Sequence, residues 1–224
     1  MNDDDDVKSI KIILVGMSGS GKTNMIYALT DQDFDSFSMT STSSTFVEKF
    51  DTFFGTKYRL EIWDTAGQEK FRSLTKLFVK DSKIVIYVYD ITSKESFEDL
   101  DFWIKTVSEL LGQEPVYGIC GNKSDLYQNE QVKEELGEQK AKDINASFKI
   151  VSAKTTAPVI KQFVKDLVIE YLKKSGDIED TNKKKGKKLK IQNQNNEQKN
   201  GKKCCWFTFI IIFLWQKIIM NFSF

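Results

Sequence analysis

The sequence contains no histidine, only three cysteines and only two prolines among its 224 residues. The absence of histidine excludes histidine-based catalytic triads, imidazole zinc sites and histidine general bases. Three cysteines, of which Cys204 and Cys205 are adjacent, cannot build a disulfide framework or a cysteine-ligated zinc site. We therefore expect a cytosolic protein, and the polar, acidic first nine residues predict no secretory signal.

The charges are unevenly distributed along the chain, although the formal net charge is only +1. Residues 3–6 are four consecutive aspartates, whereas residues 173–203 contain eleven lysines and four acidic residues. This basic stretch has almost no large apolar side chain and cannot bury enough surface to fold. We expect residues 1–7 to be an acidic disordered N-terminus and residues 174–203 to be a basic disordered tail.

Hydrophobic patterning between these two segments predicts alternating strands and helices. The strands are predicted over residues 10–15, 46–54, 58–63, 84–89, 116–120 and 148–151, and the helices over residues 22–29, 96–111, 131–143 and 159–172. Gly55 is predicted to form the turn of a hairpin between the second and third strands. The pattern is typical of an α/β fold with a six-stranded, mostly parallel sheet, one antiparallel hairpin strand and helices on both faces.

The first chemical motif is GMSGSGKT at residues 16–23, which matches the phosphate-loop pattern G-x-x-x-x-G-K-[ST] between a predicted strand and a predicted helix. Its glycines allow backbone N–H groups to approach phosphates, Lys22 can reach the β and γ oxygens, and the Thr23 hydroxyl can bind Mg²⁺. The alternative is a glycine-rich turn without a ligand. The predicted phosphate-binding residues are Ser18, Gly19, Ser20, Gly21, Lys22 and Thr23.

The second motif is IWDTAGQE at residues 62–69, at the end of the predicted hairpin. Asp64 at a strand terminus can hold Mg²⁺ through water, and the N–H of Gly67 can sense a γ-phosphate. Gln68 can orient a water for in-line attack. The same letters can form an ordinary turn, but a neighbouring phosphate loop argues against that alternative.

The third motif, NKSD at residues 122–125, and the fourth, SAK at residues 152–154, predict a base-binding site. The Asp125 carboxylate can accept from the ring N–H and the exocyclic amine of guanine, whereas adenine presents the opposite pattern and would be rejected. A backbone N–H after the last strand could meet the guanine O6. In isolation residues 122–125 would more readily be interpreted as a helix cap, and residues 152–154 alone carry very little signal. The predicted base-binding residues are Asn122, Lys123, Asp125, Ser152, Ala153 and Lys154.

Four such motifs in this order, each at the carboxyl end of a strand, resemble the small GTPases of the Ras superfamily over about residues 8–173. The resemblance implies a P-loop GTPase fold that binds GTP and GDP with Mg²⁺ and hydrolyses GTP slowly, with Lys22 and Gln68 as catalytic residues. Phe34 falls where the family stacks an aromatic side chain on the guanine. Thr23, Ser41 and Asp64 fall at the positions of the family's metal-binding residues.

Within the superfamily the chain resembles the Rab proteins, in WDTAGQEKFRSL at residues 63–74, in YDIT at residues 89–92 and in Ser18. The resemblance implies an exchange factor, a GTPase-activating protein and effectors as partners. Residues 80–82 and 137–142 resemble Golgi-type Rabs. The aromatic triad that Rab effectors contact falls at Phe46, Trp63 and Phe78.

The chain departs from the Rab pattern in the first switch, where residues 40–46 are TSTSSTF and Rabs have STIGVDF. Ser41, nineteen residues after Lys22, takes the place of the Mg²⁺-binding threonine and lacks its methyl group. Thr40 or Thr42 is the alternative ligand. We expect a weaker GTP-bound switch but unimpaired nucleotide binding.

The C-terminal segment, residues 204–224, is a second departure. Rabs usually end near a geranylgeranylated cysteine pair, whereas Cys204 and Cys205 are followed by nineteen mostly apolar residues. The stretch is compatible with a gene model that runs past the true end, with a membrane anchor, and with an interfacial segment supported by lipidated cysteines and the basic tail. All three place the protein on a membrane.

The sequence thus predicts a monomeric Rab-like GTPase that acts as a membrane-associated switch in vesicle transport. It is expected on the cytoplasmic face of an intracellular membrane of Golgi type, cycling with the cytosol and binding no nucleic acid. One alternative is a nucleotide-dependent binding scaffold that scarcely hydrolyses GTP. A second alternative, an ATP-dependent P-loop kinase, is disfavoured by Asp125.

Overall fold

A computed structural model describes residues 7–32, 45–65, 78–111 and 115–178. Their core is a six-stranded sheet with the strand order β2-β3-β1-β4-β5-β6. β2 pairs antiparallel with β3, and all other neighbouring strands in this sheet are parallel. The predicted fold class is confirmed. The strands are β1 (Ser9–Val15), β2 (Thr45–Phe53), β3 (Thr56–Asp64), β4 (Ile84–Asp90), β5 (Val116–Asn122) and β6 (Ser147–Ile150).

Helices cover both faces of this sheet. On one face, residues of α1 and α5 join one buried apolar cluster, and on the other face residues of α3 and α4 join a second cluster. This double cover explains why β4 is apolar up to its last residue and why all seven of its residues are buried. The helices of the described residues are α1 (Lys22–Leu29), α2 (Lys94–Glu98), α3 (Leu100–Leu110), α4 (Glu134–Asp143) and α5 (Ala157–Ser175), with a 3-10 helix at Ser124–Asn129.

The longest described helix, α5, shows clear sequence signals at both ends. Pro158 occupies its first turn, where the missing N–H costs no hydrogen bond. Gly176 follows its last turn at φ 80°, a left-handed conformation that glycine adopts without strain. None of the helices in the described ranges, α5 included, has the length and apolar character needed to cross a membrane.

Most elements begin or end one to three residues from the predicted bounds, and two of them differ in a way that matters for the fold and the site. The single helix predicted over residues 96–111 is two helices, α2 and α3, separated at Asp99, whose carboxylate accepts a hydrogen bond of 2.8 Å from Nε1 of the buried Trp103. β5 extends two residues beyond the predicted strand and ends at Asn122. The polar 3-10 helix that follows was not predicted, because it has no apolar periodicity.

Parallel pairing brings the carboxyl ends of five strands, β1, β3, β4, β5 and β6, to one edge of the sheet. Leu14 of β1 is the register partner of Asp64 of β3, and Asp90 of β4 is the register partner of Asn122 of β5. In open α/β sheets, ligands bind outside the carboxyl ends of the strands. All four sequence motifs begin at this edge.

Candidate active site

The loop between β1 and α1 has a conformation that depends on glycine at three positions. Gly19 and Gly21 have φ of 78° and 91°, in the left-handed region. A Cβ at Gly16 would lie 2.1 Å from the carbonyl oxygen of Val88, and a Cβ at Gly21 would lie 2.3 Å from Nδ2 of Asn122. At Gly16 and Gly21 the loop backbone lies directly against β4 and β5, which leaves no room for a side chain without movement of Val88 or Asn122.

Lys22 is buried beneath this loop, with only 5% of its surface exposed. Its Nζ donates to the carbonyl oxygens of Gly16 and Met17, each at 2.9 Å. Burial lowers the pKa of Lys22 to about 8, and the nearby Asp64 carboxylate partly offsets this effect. The ammonium group is therefore held across the loop in a setting that favours an additional negative partner.

Thr23 and Asp64 meet at the carboxyl ends of β1 and β3. The Thr23 hydroxyl donates to Oδ2 of Asp64 at 2.6 Å, and Asp64 is 1% exposed. The Thr65 hydroxyl, next in the chain, donates to the carbonyl oxygen of Leu14 at 2.7 Å and holds the end of β3 against β1. A hydroxyl and a carboxylate are hard oxygen donors of the kind that Mg²⁺ takes, so this pair fits the predicted metal.

Asn122 connects the phosphate loop to the loop after β6. Its Nδ2 donates to the carbonyl oxygen of Ser20 at 2.9 Å, and its Oδ1 accepts from the N–H of Ala153 at 3.0 Å. The side chain is buried, with 1% of the residue exposed. The sequence predicts Asn122 as a nucleotide contact, and in the structure its side chain links two motifs by hydrogen bonds.

Asp125 lies half-buried against the loop after β6. The Ser152 hydroxyl donates to Oδ1 of Asp125 at 2.6 Å and accepts from the N–H groups of Lys154 and Thr155, each at 3.2 Å. Thus one carboxylate oxygen fixes the orientation of the group. The structure brings together all the base-binding residues that the sequence predicted.

Two buried residues at this edge, Asp90 and Ser96, are not among the site residues predicted from the sequence. Oδ2 of Asp90 pairs with Nζ of Lys123 at 2.7 Å, and the Ser96 hydroxyl accepts from the N–H of Asp90 at 3.0 Å. The available signal was an acidic residue at the end of an otherwise apolar strand. Such a carboxylate is expensive to bury unless it is paired.

The family is established by comparison with known proteins. The Ras family model matches residues 11–172. The Ras-related protein Rab-8B of Homo sapiens is 33% identical over 170 residues, which cover 75% of this chain and 82% of that protein. The chain is a Rab-type small GTPase of the Ras family. Its reaction is the hydrolysis of GTP to GDP and phosphate.

Other Rab proteins show similar likeness. The mouse Ras-related protein Rab-26 is 39% identical over 148 residues, 66% of this chain and 57% of that protein. The rat Ras-related protein Rab-26 is 33% identical over 198 residues, 88% of this chain and 75% of that protein. The predicted family and enzyme class are confirmed, and the Golgi assignment stays a prediction.

The three aromatic residues predicted to form the effector triad lie together in this GTPase, with Trp63 in contact with both Phe46 and Phe78. The ring centroids of Phe46 and Trp63 are 4.8 Å apart, and those of Trp63 and Phe78 are 5.5 Å apart. Phe46 is 42% exposed, and Lys11 places its Nζ 5.0 Å from the Trp63 ring. Phe46 of β2 is exposed, whereas Trp63 and Phe78 are half-buried against the core.

Several predicted site residues of the GTPase lie outside the described residues, so their roles stay predictions. They are Phe34, Ser41, Gly67, Gln68, Cys204 and Cys205.

Proposed function

We propose that this Rab-type GTPase is a membrane-associated switch in vesicle transport that binds GTP and GDP with Mg²⁺ across the carboxyl edge of the sheet. The observation that carries the proposal is the Asn122 amide, which joins the phosphate loop at Ser20 to the base loop at Ala153. Phosphate-binding and base-binding elements are thereby parts of one continuous site. A nucleotide is the ligand whose two ends match these two halves.

At the phosphate end, the loop supplies backbone N–H groups at the start of α1, and Lys22 supplies a buried positive charge. The N-terminus of a helix favours anions, and α1 begins at Lys22 itself. The lowered pKa of Lys22 in the nucleotide-free protein also favours a negative ligand, because phosphates would stabilise the charged form.

At the base end, we assign guanine selectivity to Asp125. Its Oδ1 is fixed by the Ser152 hydroxyl at 2.6 Å. A carboxylate in a fixed orientation accepts from two adjacent donors, and guanine offers two on one edge. Adenine lacks that pair and would leave the carboxylate with only the Ser152 hydroxyl as a donor, which costs binding free energy in a half-buried site.

Thr23 and Asp64 are the described residues that would hold Mg²⁺, Thr23 directly and Asp64 through water, with Ser41 as the third predicted contact. When bound, Mg²⁺ would neutralise charge on the β and γ phosphates. The protein contributes the preformed hydroxyl–carboxylate pair, whose 2.6 Å hydrogen bond fixes the Thr23 side chain.

We propose that Gln68 orients the attacking water and that a partner protein supplies the positive charge that stabilises the transition state. The phosphate loop, residues 16–23, contains no arginine. Phosphoryl transfer depends mainly on positioning and electrostatic stabilisation, and an arginine supplied by an activating protein accelerates it by about 10³–10⁵. Slow intrinsic hydrolysis and strong stimulation are therefore expected.

The remaining partners follow from the surface and the tail. The aromatic cluster of Phe46, Trp63 and Phe78, in which Phe46 is exposed, offers effectors an apolar contact of the type that marks interaction sites. Lipids on Cys204 and Cys205, with the basic tail, would attach the protein to the cytoplasmic face of an intracellular membrane. A monomer that cycles with the cytosol fits this arrangement.

Single-turnover hydrolysis of GTP, with and without the catalytic domain of a Rab GTPase-activating protein, tests the proposal. We expect slow basal hydrolysis, strong stimulation, and loss of stimulation by orders of magnitude in Gln68→Leu with GTP affinity unchanged within a few-fold. Tight GTP binding without stimulation by any activating domain would favour the scaffold alternative. Equal loss of binding and turnover in Gln68→Leu would show that Gln68 is structural.

A further inference from the structure

Asp90, the last residue of β4, is a buried carboxylate with both oxygens engaged. It is 8% exposed. Oδ1 accepts from the N–H of Thr92 at 2.8 Å and from the Thr92 hydroxyl at 2.7 Å. Oδ2 pairs with Nζ of Lys123 at 2.7 Å. One oxygen thus orients the carboxylate on its own strand end, and the other reaches across to the loop after β5.

Lys123 has a backbone conformation that needs external support. Its φ of 67° lies in the left-handed region, which non-glycine residues adopt at a cost of about 1–3 kcal/mol. This conformation turns the chain from β5 into the 3-10 helix. The ion pair with Asp90 ties the side chain of this strained residue to the neighbouring strand, so it favours the turn over more extended alternatives.

The turn at Lys123 separates the two side chains that define the base-binding half of the site. Asn122, on one side, bonds to the phosphate loop and to the N–H of Ala153. Asp125, on the other side, accepts from the Ser152 hydroxyl. A change of conformation at Lys123 would therefore move these two groups relative to each other.

We propose that Asp90 is a positioning residue for the nucleotide, which acts through Lys123 to hold the base-binding loop in its binding conformation. This inference rests on the proposed function, because it assumes that Asn122 and Asp125 serve a guanine nucleotide. Asp90 itself does not touch the nucleotide. The backbone reinforces the arrangement, since the N–H of Ile91 donates to the carbonyl oxygen of Asn122 at 3.1 Å.

The energetic argument follows from the burial of the pair. The Asp90 side chain is 11% exposed and the Lys123 side chain is 33% exposed, so water screens the pair only in part. Removing one partner leaves a poorly hydrated charge without compensation, which costs more than the loss of a surface ion pair. Because the turn is intrinsically strained, we expect loss of the ion pair to speed nucleotide release about tenfold, equivalent to about 1.4 kcal/mol.

Dissociation of a fluorescent GDP analogue from the full-length protein tests the proposal. Asp90→Asn keeps an oxygen for Thr92 but removes the charge that faces Lys123, and Lys123→Met removes the other partner. The matched control is Thr92→Val, which removes one hydrogen bond from the same carboxylate and leaves the ion pair. We expect about tenfold faster release in Asp90→Asn, slightly more in Lys123→Met, and less than threefold in Thr92→Val.

The double variant Asp90→Asn with Lys123→Met separates positioning from a general structural role. If Asp90 acts through Lys123, the double variant releases GDP no faster than Lys123→Met alone. Multiplicative effects of the two substitutions would overturn the proposal, and so would an unchanged rate in Asp90→Asn. Lys123→Arg retains a cation for Asp90 and should release GDP more slowly than Lys123→Met.

The outcome for the proposed function is read separately, from the wild-type protein. Failure of the wild-type protein to prefer guanine nucleotides would reject the assignment of the site itself. A wild-type protein that binds GDP, together with independent effects at Asp90 and Lys123, would reject only the positioning role.

Discussion

Replacement of Asn122 by alanine removes a side chain that connects the two halves of the site. The amide makes a hydrogen bond of 2.9 Å to the Ser20 carbonyl oxygen and one of 3.0 Å to the Ala153 N–H. Alanine fits the space but offers neither donor nor acceptor. Asn122→Ala therefore leaves a backbone carbonyl and a backbone N–H without their partner.

The magnitude follows from the burial of both contacts. Leaving one buried polar group unsatisfied costs about 1–3 kcal/mol, so two such groups cost about 2–5 kcal/mol if water enters in part. Against a total stability of about 5–15 kcal/mol, this is a large loss. The Asn122 side chain also sets the distance between the phosphate-binding and base-binding elements. GDP release should therefore accelerate at least about tenfold, which corresponds to about 1.4 kcal/mol or more of the lost free energy.

Urea unfolding of the nucleotide-free protein measures the stability, and displacement of a fluorescent GDP analogue measures the release rate. The matched control is Asn129→Ala, at an exposed asparagine in the nearby 3-10 helix, which should change stability by less than about 0.5 kcal/mol. If Asn122→Ala unfolds with the wild-type free energy and releases GDP at the wild-type rate, Asn122 does not couple the two halves and the proposal of one continuous site is wrong.

Three further predictions concern the phosphate loop. GDP affinity should fall about fourfold between pH 7 and pH 8.5, because Lys22 of the nucleotide-free protein has a pKa of about 8 and must be protonated to pair with the phosphates. Calorimetric titration measures the affinity, and a flat profile would contradict the prediction. Ser20→Ala should raise the melting temperature by about 2–4 °C, because the buried Ser20 hydroxyl has no hydrogen-bond partner among the described residues; a lower melting temperature would mean that the hydroxyl is satisfied. Gly21→Ala should speed GDP release at least as much as Asn122→Ala, because its Cβ would displace the Asn122 amide; wild-type release would show that the loop can move aside.

Much of the fold could be predicted from the sequence because its strands have distinct patterns. β4 is apolar at six successive residues, as a strand covered on both faces must be. β2 and β3 alternate and are joined at Gly55, so the hairpin was evident. Element boundaries were less certain, since polar residues at strand ends carry no periodicity. Asn122 was therefore placed after β5 and not within it.

The residues that gather at the carboxyl edge of the sheet could also be predicted, because each motif is a local pattern. What the sequence could not show was how the motifs contact one another. The hydrogen bond from Asn122 to Ser20 joins residues 102 positions apart. The pair of Asp90 with Lys123 depends on the register of β4 and β5. Such contacts follow from strand order and register, which local spacing does not encode.

If this edge of the sheet selects guanine through Asp125, the variant Asp125→Asn must change the nucleotide preference in a competition experiment. The carboxylate accepts from guanine's two donors, whereas an amide can donate to the carbonyl that xanthine carries in place of the amine. Binding of GDP and of xanthosine diphosphate is measured for the wild type and the variant by displacement of a fluorescent nucleotide. The account predicts that GDP affinity falls by orders of magnitude while xanthosine diphosphate affinity rises. Unchanged GDP affinity in Asp125→Asn would contradict it.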